Sequence, residues 1–181
     1  VLSYSAAGLT SISLLLYAYQ VYHAHLKTSI ATWGMFFVTD LTGLILATAT
    51  GNANPFIHVA WVVTDILICL VALKNRANLK WGRLETISVI VCLISLHAWI
   101  VTQASWSLFG YLVACAFTML PQAHQYWLDK RVARKSAWIW VVNSIALVMT
   151  ILSVQPLTPE YSVVSLGLLS LNLFMVLIAL R

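Results

Sequence analysis

Seven apolar segments, each about as long as a membrane-spanning helix, follow one another along the chain with only short polar breaks between them. They lie near residues 3–25, 30–50, 56–74, 84–103, 106–128, 136–154 and 160–180. A bilayer core about 30 Å thick needs about 20 helical residues. Of the 181 residues, 61% are hydrophobic and only 8% are charged, whereas about a quarter are charged in soluble domains. We therefore predict an all-α integral membrane protein with seven transmembrane helices, and we expect no soluble or nucleic-acid-binding domain.

The basic residues predict how these helices are oriented. The ten are Lys27, Lys74, Arg76, Lys80, Arg83, Lys130, Arg131, Arg134, Lys135 and Arg181. With seven spans all of them fall on one side, and the other side carries only Glu160. The positive-inside rule then places the N-terminus outside the cytoplasm and the C-terminus inside it. The first apolar stretch has no basic region before it and no small-residue cleavage site after it, so we expect a span there rather than a signal peptide.

The two halves of the chain show a faint duplication. Asp65–Lys74 aligns with Asn172–Arg181, and Phe37–Asp40 aligns with Trp140–Asn143. Two units of three helices in tandem would run in opposite directions, and the fourth span restores a parallel orientation. We therefore predict a 3+1+3 arrangement, with repeat 1 at residues 1–75, a linker and inversion helix at 76–105, and repeat 2 at 106–181. Parallel repeats of this kind form transporters with a solute site near the bilayer midplane.

Two acids lie deep within apolar segments, Asp40 in the second and Asp65 in the third, and their repeat mates are Asn143 and Asn172. A charge at the bilayer centre costs at least about 2.5 kcal/mol, so such residues face the bundle interior or a cavity. Because no lysine or arginine lies at this depth, we expect at least one carboxyl to hold a proton. The acids then carry protons or bind a cationic or hydroxyl-rich solute. The alternative is that they hydrogen-bond neighbouring helices as structural contacts.

Aromatic residues precede these polar positions at helical spacing. Phe37 and Trp140 come three residues before Asp40 and Asn143, and Trp61 comes four before Asp65. Each pair shares a helix face. The rings either line a site for a sugar, nucleoside or amino acid or pack between helices. Four tryptophans near segment ends are expected to form an aromatic belt at the membrane surface: Trp33, Trp81, Trp106 and Trp138.

Pro121 interrupts the fifth segment and predicts a kink or hinge there. The surrounding Leu120–His124 stretch, followed by Lys135-Ser136, resembles the PQ-loop transporter superfamily, which includes cystinosin-like exporters and SWEET sugar carriers. Phe37–Gly43 is similar to a segment of the cystinosin-like members. The resemblance implies alternating access, with Pro121 and Gln122 as a hinge.

The same resemblance implies that Asn172 and Asp65 contact the solute. The chain departs from the family pattern at Gln20, which follows Tyr19 where a proline is expected, and at Asp65, where sugar carriers usually have Asn. The second departure favours proton coupling or a cationic substrate. Trp138–Asn143 is similar to the nicotinamide riboside transporters, a closely related interpretation.

These features predict a transporter of a small polar solute of sugar, amino acid or nucleoside size, working by alternating access with intramembrane aspartates that bind protons. The alternatives are a non-transporting membrane receptor or assembly subunit and, with less support, an intramembrane enzyme. The chain has no nucleophile motif, no HExxH and no CxxC, so we expect no catalysis, no cofactor and no metal site. The expected partners are the solute, protons and the lipid bilayer. The sequence leaves the oligomeric state open, including a homo-oligomer.

Overall fold

The computed structural model describes residues 2–23, 28–50, 55–75, 81–102, 108–153 and 159–181. Within these ranges the chain forms seven helices and no strand. The helices are α1 (Leu2–Tyr22), α2 (Ile30–Thr50), α3 (Pro55–Lys74), α4 (Arg83–Thr102), α5 (Leu108–Leu128), α6 (Lys130–Ser153) and α7 (Pro159–Leu180). The predicted all-helical class is confirmed, and each helix coincides with one of the apolar segments.

Several helices are long and apolar enough to cross a membrane. By length and composition, four stretches among the described residues qualify: Phe56–Lys74, Arg83–Thr102, Lys130–Ser153 and Ser162–Leu180. The apolar stretch of α2, Ile30–Ile45, is shorter. Large apolar side chains such as Ile12, Ile94 and Leu177 are exposed on the outer surface, which monomeric soluble proteins avoid over large patches. These features indicate a membrane protein.

Two of the remaining helices, α1 and α5, have polar faces that point into the bundle. Thr10, Ser13 and Tyr17 of α1 are buried, as are Thr118 and Gln122 of α5. These side chains lower the mean hydropathy of their helices without being exposed on the outer surface.

The sixth helix begins earlier than predicted, at Lys130 instead of residue 136. Asp129 Oδ1 accepts hydrogen bonds from the backbone nitrogens of Arg131 at 3.1 Å and Val132 at 3.2 Å. Asp129 is therefore an N-cap, which satisfies two of the amides that a helix start leaves unpaired. The stretch expected as a loop forms the first turns of α6, and its basic side chains are carried on that helix.

The helices pack in a pattern that is repeated in the two halves of the chain. In the first half α3 packs against both α1 and α2, and in the second half α7 packs against both α5 and α6. The halves meet where α1 packs against α6 and where α2 packs against α5. The fourth helix packs mainly against α5, through a buried cluster that includes Cys92, Leu96, Tyr111 and Cys115.

The third helix is fastened to the first at one end of the bundle. Lys74 Nζ lies 3.0 Å from the Tyr22 hydroxyl and 4.5 Å from the centre of the Tyr22 ring. The Asn75 amide donates to the backbone carbonyls of Val21 and Tyr22. Since Tyr4 and Phe56 also stack, with ring centroids 4.8 Å apart, α1 and α3 are parallel along their length.

The seventh helix is fastened to the fifth in the same way. The Arg181 guanidinium lies 3.2 Å from the centre of the Trp127 ring and donates to the Trp127 carbonyl at 3.1 Å. In both halves a cation at the end of the third helix therefore contacts an aromatic ring at the end of the first.

The described basic residues lie at one end of the bundle, which we call the basic end. It carries Lys74, Arg83, the basic residues of 130–135, and Arg181. Contacts across the bundle bring these helix ends together. Gln122, near the end of α5, bonds Thr28 just before α2. Trp99 near the end of α4 contacts Tyr111 near the start of α5, and Cys92 contacts Thr118, so α4 and α5 are antiparallel. Lys27, Arg76 and Lys80 lie outside the described residues.

Close packing of α4 on α5 depends on Gly110, where a Cβ atom would lie 3.0 Å from the Ser95 carbonyl oxygen. Gly110→Val is expected to destabilise the protein by about 1–3 kcal/mol, because the backbone of α4 must move away. Gly34→Ala is the matched control, since its Cβ would meet nothing within 4 Å, and it is expected to be neutral or stabilising by up to about 1 kcal/mol. Thermal unfolding in detergent measures both, and an equal loss in the two variants would contradict this account of the α4–α5 contact.

Candidate functional site

A cavity lies at the centre of the bundle, between six of the seven helices. Its volume is about 60 Å³, room for a few water molecules. It is lined by Leu14, Trp33, Phe36, Asp40, Trp61, Asp65, Cys115, Met119, Trp140, Asn143, Leu147, Leu168 and Asn172. Six of the seven residues predicted to bind solute or protons are among them.

The two acids face each other across the α2–α3 contact. Asp40 is the middle residue of α2, and Asp65 lies at the middle of α3 and is 2% exposed. Their side chains are hydrogen-bonding neighbours. A carboxylate can only accept hydrogen bonds, so two carboxyl groups bond each other only when one carries a proton. A contact of this kind is able to hold one shared proton.

The two predicted asparagines lie on the opposite wall, which belongs to the second half of the chain. Asn172 is buried and its amide donates to the Leu168 carbonyl one turn earlier, at 3.0 Å. Asn143 Oδ1 is buried with no hydrogen-bond partner, and so is Asp65 Oδ2. Buried acceptors are nearly always paired, so these two atoms mark where a ligand or water would bind.

Aromatic rings form the cavity wall nearest the basic end. Trp33 and Phe36 have ring centroids 5.5 Å apart, and Phe36 and Trp140 are 6.4 Å apart. Trp61 contributes a further ring from the half of α3 that is farther from the basic end, and His58 packs edge-on against it at 5.3 Å. Phe37 is half-buried and is not among the lining residues; the neighbouring Phe36 takes the place expected for it.

Trp33 does not belong to an aromatic belt, contrary to the sequence-based expectation. It is 3% exposed and lines the cavity. Trp33 lies near the start of α2, as an aromatic belt requires, but its side chain lies on the face of α2 that points into the bundle.

A hydrogen-bonded group of side chains closes the cavity on the side of the basic end. Thr28 Oγ1 accepts from the Tyr17 hydroxyl at 2.9 Å and from Trp33 Nε1 at 2.6 Å, and it donates to Gln122 Oε1 at 3.1 Å. The same Gln122 oxygen accepts from the Ser29 backbone nitrogen at 3.2 Å. We call these five residues the polar latch: Tyr17, Thr28, Ser29, Trp33 and Gln122.

A second indole extends this closure from α6. Trp140 Nε1 donates to the Tyr126 hydroxyl at 3.1 Å, and Tyr126 is 1% exposed. Trp33 and Trp140 both line the cavity, and each indole donates its N–H group to a hydroxyl group, Trp33 to Thr28 and Trp140 to Tyr126.

The predicted hinge residues take different places. Pro121 is buried inside α5, which continues through it to Leu128. Gln122 is fully buried in the polar latch. Gln20, its expected counterpart in the first repeat, is half-buried on α1 and does not line the cavity.

Sequence reasoning missed the polar latch and part of the cavity wall. Tyr17, Thr28 and Ser29 carried no signal, since hydroxyl residues are common near helix ends. Phe36 and Trp33 could have been found from their spacing of four and seven residues before Asp40, which places all three on one helix face.

Among the residues that the structure describes, no group of three or more His, Cys, Asp or Glu side chains could hold a metal ion. Comparisons of the chain with protein-family models, curated proteins and solved structures found no match. The function is therefore inferred from the chemistry of the cavity.

Proposed function

We propose that this chain is a membrane transporter that moves a small polar solute by alternating access, with Asp40 and Asp65 binding the coupled proton. One observation carries the proposal: polar residues predicted from four different segments meet at a single central cavity. Intramembrane ionisable residues usually mark substrate or proton pathways, because burying them without a function is costly. Structural contacts between helices alone would not need a cavity with unpaired acceptors.

The repeated packing supports a 3+1+3 arrangement as part of this proposal. The contact of α1 with α6 has its counterpart in the contact of α5 with α2. The third helix of each half is fastened to the first helix of the same half, α3 to α1 and α7 to α5. Parallel repeats with a site between them suit alternating access, because either half can rock against the other around the site. In this arrangement the seven helices span the membrane.

The polar latch supports a gate at the basic end. It joins α5 of the second half to the start of α2 in the first half, so it must break if the halves separate there. By the positive-inside rule the basic end is cytoplasmic, and the described conformation is then closed to the cytoplasm. We also propose that the chain belongs to the PQ-loop superfamily, because Gln122 of the short motif that resembles this family is a member of the polar latch.

Flux through reconstituted vesicles tests the proposal. We expect the purified protein to take up at least one labelled compound from a panel of hexoses, amino acids, nucleosides and methylammonium, faster than protein-free vesicles do. A pH gradient is expected to change that rate. A folded protein that moves no member of the panel, with or without a gradient, would overturn transport and favour a receptor or assembly subunit.

The cavity wall gives a sharper prediction within this assay. Trp61→Ala removes a lining ring and is expected to slow uptake by about tenfold, which corresponds to about 1.4 kcal/mol of lost stabilisation. Trp81→Ala is the matched control, because Trp81 is 59% exposed and lies outside the cavity. Initial rates at equal protein content decide the matter, and equal slowing in both variants would contradict a role for the cavity wall.

A further inference from the structure

The fully buried polar atoms of the cavity wall that have no partner are both acceptors, Asp65 Oδ2 and Asn143 Oδ1. The Asn172 amide uses one of its two N–H groups to bond the Leu168 carbonyl. An unpaired buried acceptor costs about 1–3 kcal/mol. A ligand that donates hydrogen bonds recovers this cost, whereas one that only accepts does not.

The charges around the cavity are also of one sign. Its lining contains Asp40 and Asp65 but no lysine, arginine or histidine. Cys69 on α3 and Tyr111 and Cys115 on α5 also face the acids, and each is uncharged when protonated. His58 of α3 lies against Gly43 on α2, outside the cavity lining. The lining residues of α1, α6 and α7 are not titratable. A low-dielectric site with only negative groups favours a positively charged ligand.

The shape and the rings restrict that cation further. Trp33, Phe36, Trp61 and Trp140 surround the acids, and aromatic faces attract ammonium and guanidinium groups within about 6 Å. A cavity of about 60 Å³ accepts a compact head group without rearrangement, whereas sites for drug-sized ligands have about 300–1,000 Å³.

We propose that the cavity binds a compact organic cation with N–H donors, an ammonium or guanidinium group, in exchange for the proton shared by Asp40 and Asp65. This inference rests on the proposed transport function and names its substrate class. Before exchange the two carboxyl groups hold one proton and a net charge of minus one. When a monovalent cation enters, the proton leaves to water and the occupied site again has a net charge of minus one. One cation is thus exchanged for one proton, and the site never holds two uncompensated charges.

Binding to the purified protein tests the exchange without any transport assay. Tryptophan fluorescence is titrated with methylammonium, guanidinium, tetramethylammonium, sodium and glucose at constant ionic strength. We expect methylammonium and guanidinium to bind, and tetramethylammonium, which has no N–H group, to bind at least about tenfold more weakly because the acceptors stay unpaired. Calorimetry in two buffers of different ionisation enthalpy is expected to show one proton released per cation bound.

Variants connect the binding to the acids. Asp40→Asn and Asp65→Asn are expected to abolish the change in tryptophan fluorescence on adding the cation and the proton release. Glu85 is an acid outside the cavity, and Glu85→Gln is expected to behave as the wild type. If either asparagine variant fails to fold, the pH dependence of the wild type decides: affinity is expected to fall about tenfold per pH unit on acidification, as one-proton exchange requires. Glucose or sodium binding as well as methylammonium, or cation binding without proton release, would overturn the inference. Uptake of a neutral solute would do so as well, yet would leave the transport proposal intact.

Discussion

Asp65→Asn is expected to reduce proton-dependent uptake by the reconstituted protein by about a hundredfold or more, because removing one member of a buried charged hydrogen-bonded pair costs about 2–5 kcal/mol. Asp65 is 2% exposed and its carboxyl group is a hydrogen-bonding neighbour of Asp40, and in the proposed mechanism the two share a proton. An asparagine keeps the shape of the side chain and cannot carry that proton. Initial rates, with and without a pH gradient, measure the effect for the compound that the wild type takes up fastest.

The double variant distinguishes a shared proton from two separate roles. If Asp40 and Asp65 act as one proton-binding unit, as proposed, Asp40→Asn together with Asp65→Asn is expected to be no slower than either single variant, a strong departure from additivity. Glu85→Gln again serves as the control, and its rate is expected to match the wild type. Unchanged rates and unchanged pH dependence in both single variants would contradict proton coupling through these acids.

Gln122→Leu is expected to lower the free energy of unfolding by about 2–4 kcal/mol, because the buried Ser29 amide and the Thr28 hydroxyl both lose their acceptor. Gln122 is fully buried and both bonds run to its Oε1 atom. His124→Leu is the matched control two residues along the same helix, since His124 is exposed and exposed substitutions have small effects. Thermal unfolding in detergent compares the two.

The same variant is expected to open the cavity toward the basic end. Cys115 lies on the cavity wall, so in a Cys69→Ser, Cys92→Ser background it is the single thiol of the chain. In oriented vesicles an impermeant thiol reagent added at the basic end is expected to label Cys115 faster in Gln122→Leu than in the parent. Equal labelling rates in a folded variant would contradict the latch as a gate.

The polar residues of the cavity could be predicted from the sequence because a polar side chain that faces lipid costs free energy. A carboxyl or amide deep within an apolar segment must face the interior, and Asp40, Asp65, Asn143 and Asn172 all line the cavity. Their exact neighbours could not be predicted in the same way. Phe36 and Phe37 differ by about 100° around the helix axis, and only the packing of α2 against its neighbours decides which ring reaches the cavity.

The polar latch was beyond prediction for a different reason. Thr28 and Gln122 are 94 residues apart, and nothing in either local pattern refers to the other. Their meeting depends on how far α5 slides along α2, which is set by the summed packing of all the helices. The early start of α6 was predictable in principle, since Asp129 directly before a helical run is a standard N-cap signal. The four basic residues that follow are also typical of a polar loop between two spans, and they therefore favour a later helix start.

The contacts of Lys74 and Asn75 with α1 and of Arg181 with α5 become possible at different times during synthesis. Lys74 and Asn75 need only the end of α1, about 52 residues earlier, so the first three helices have all their own contacts once residue 75 has been made. Arg181 needs Trp127, about 54 residues earlier. Since domains of a growing chain fold as their residues emerge, the first half can assemble while the second is still being translated, and the contact of Arg181 with Trp127 forms only after Arg181 has been made.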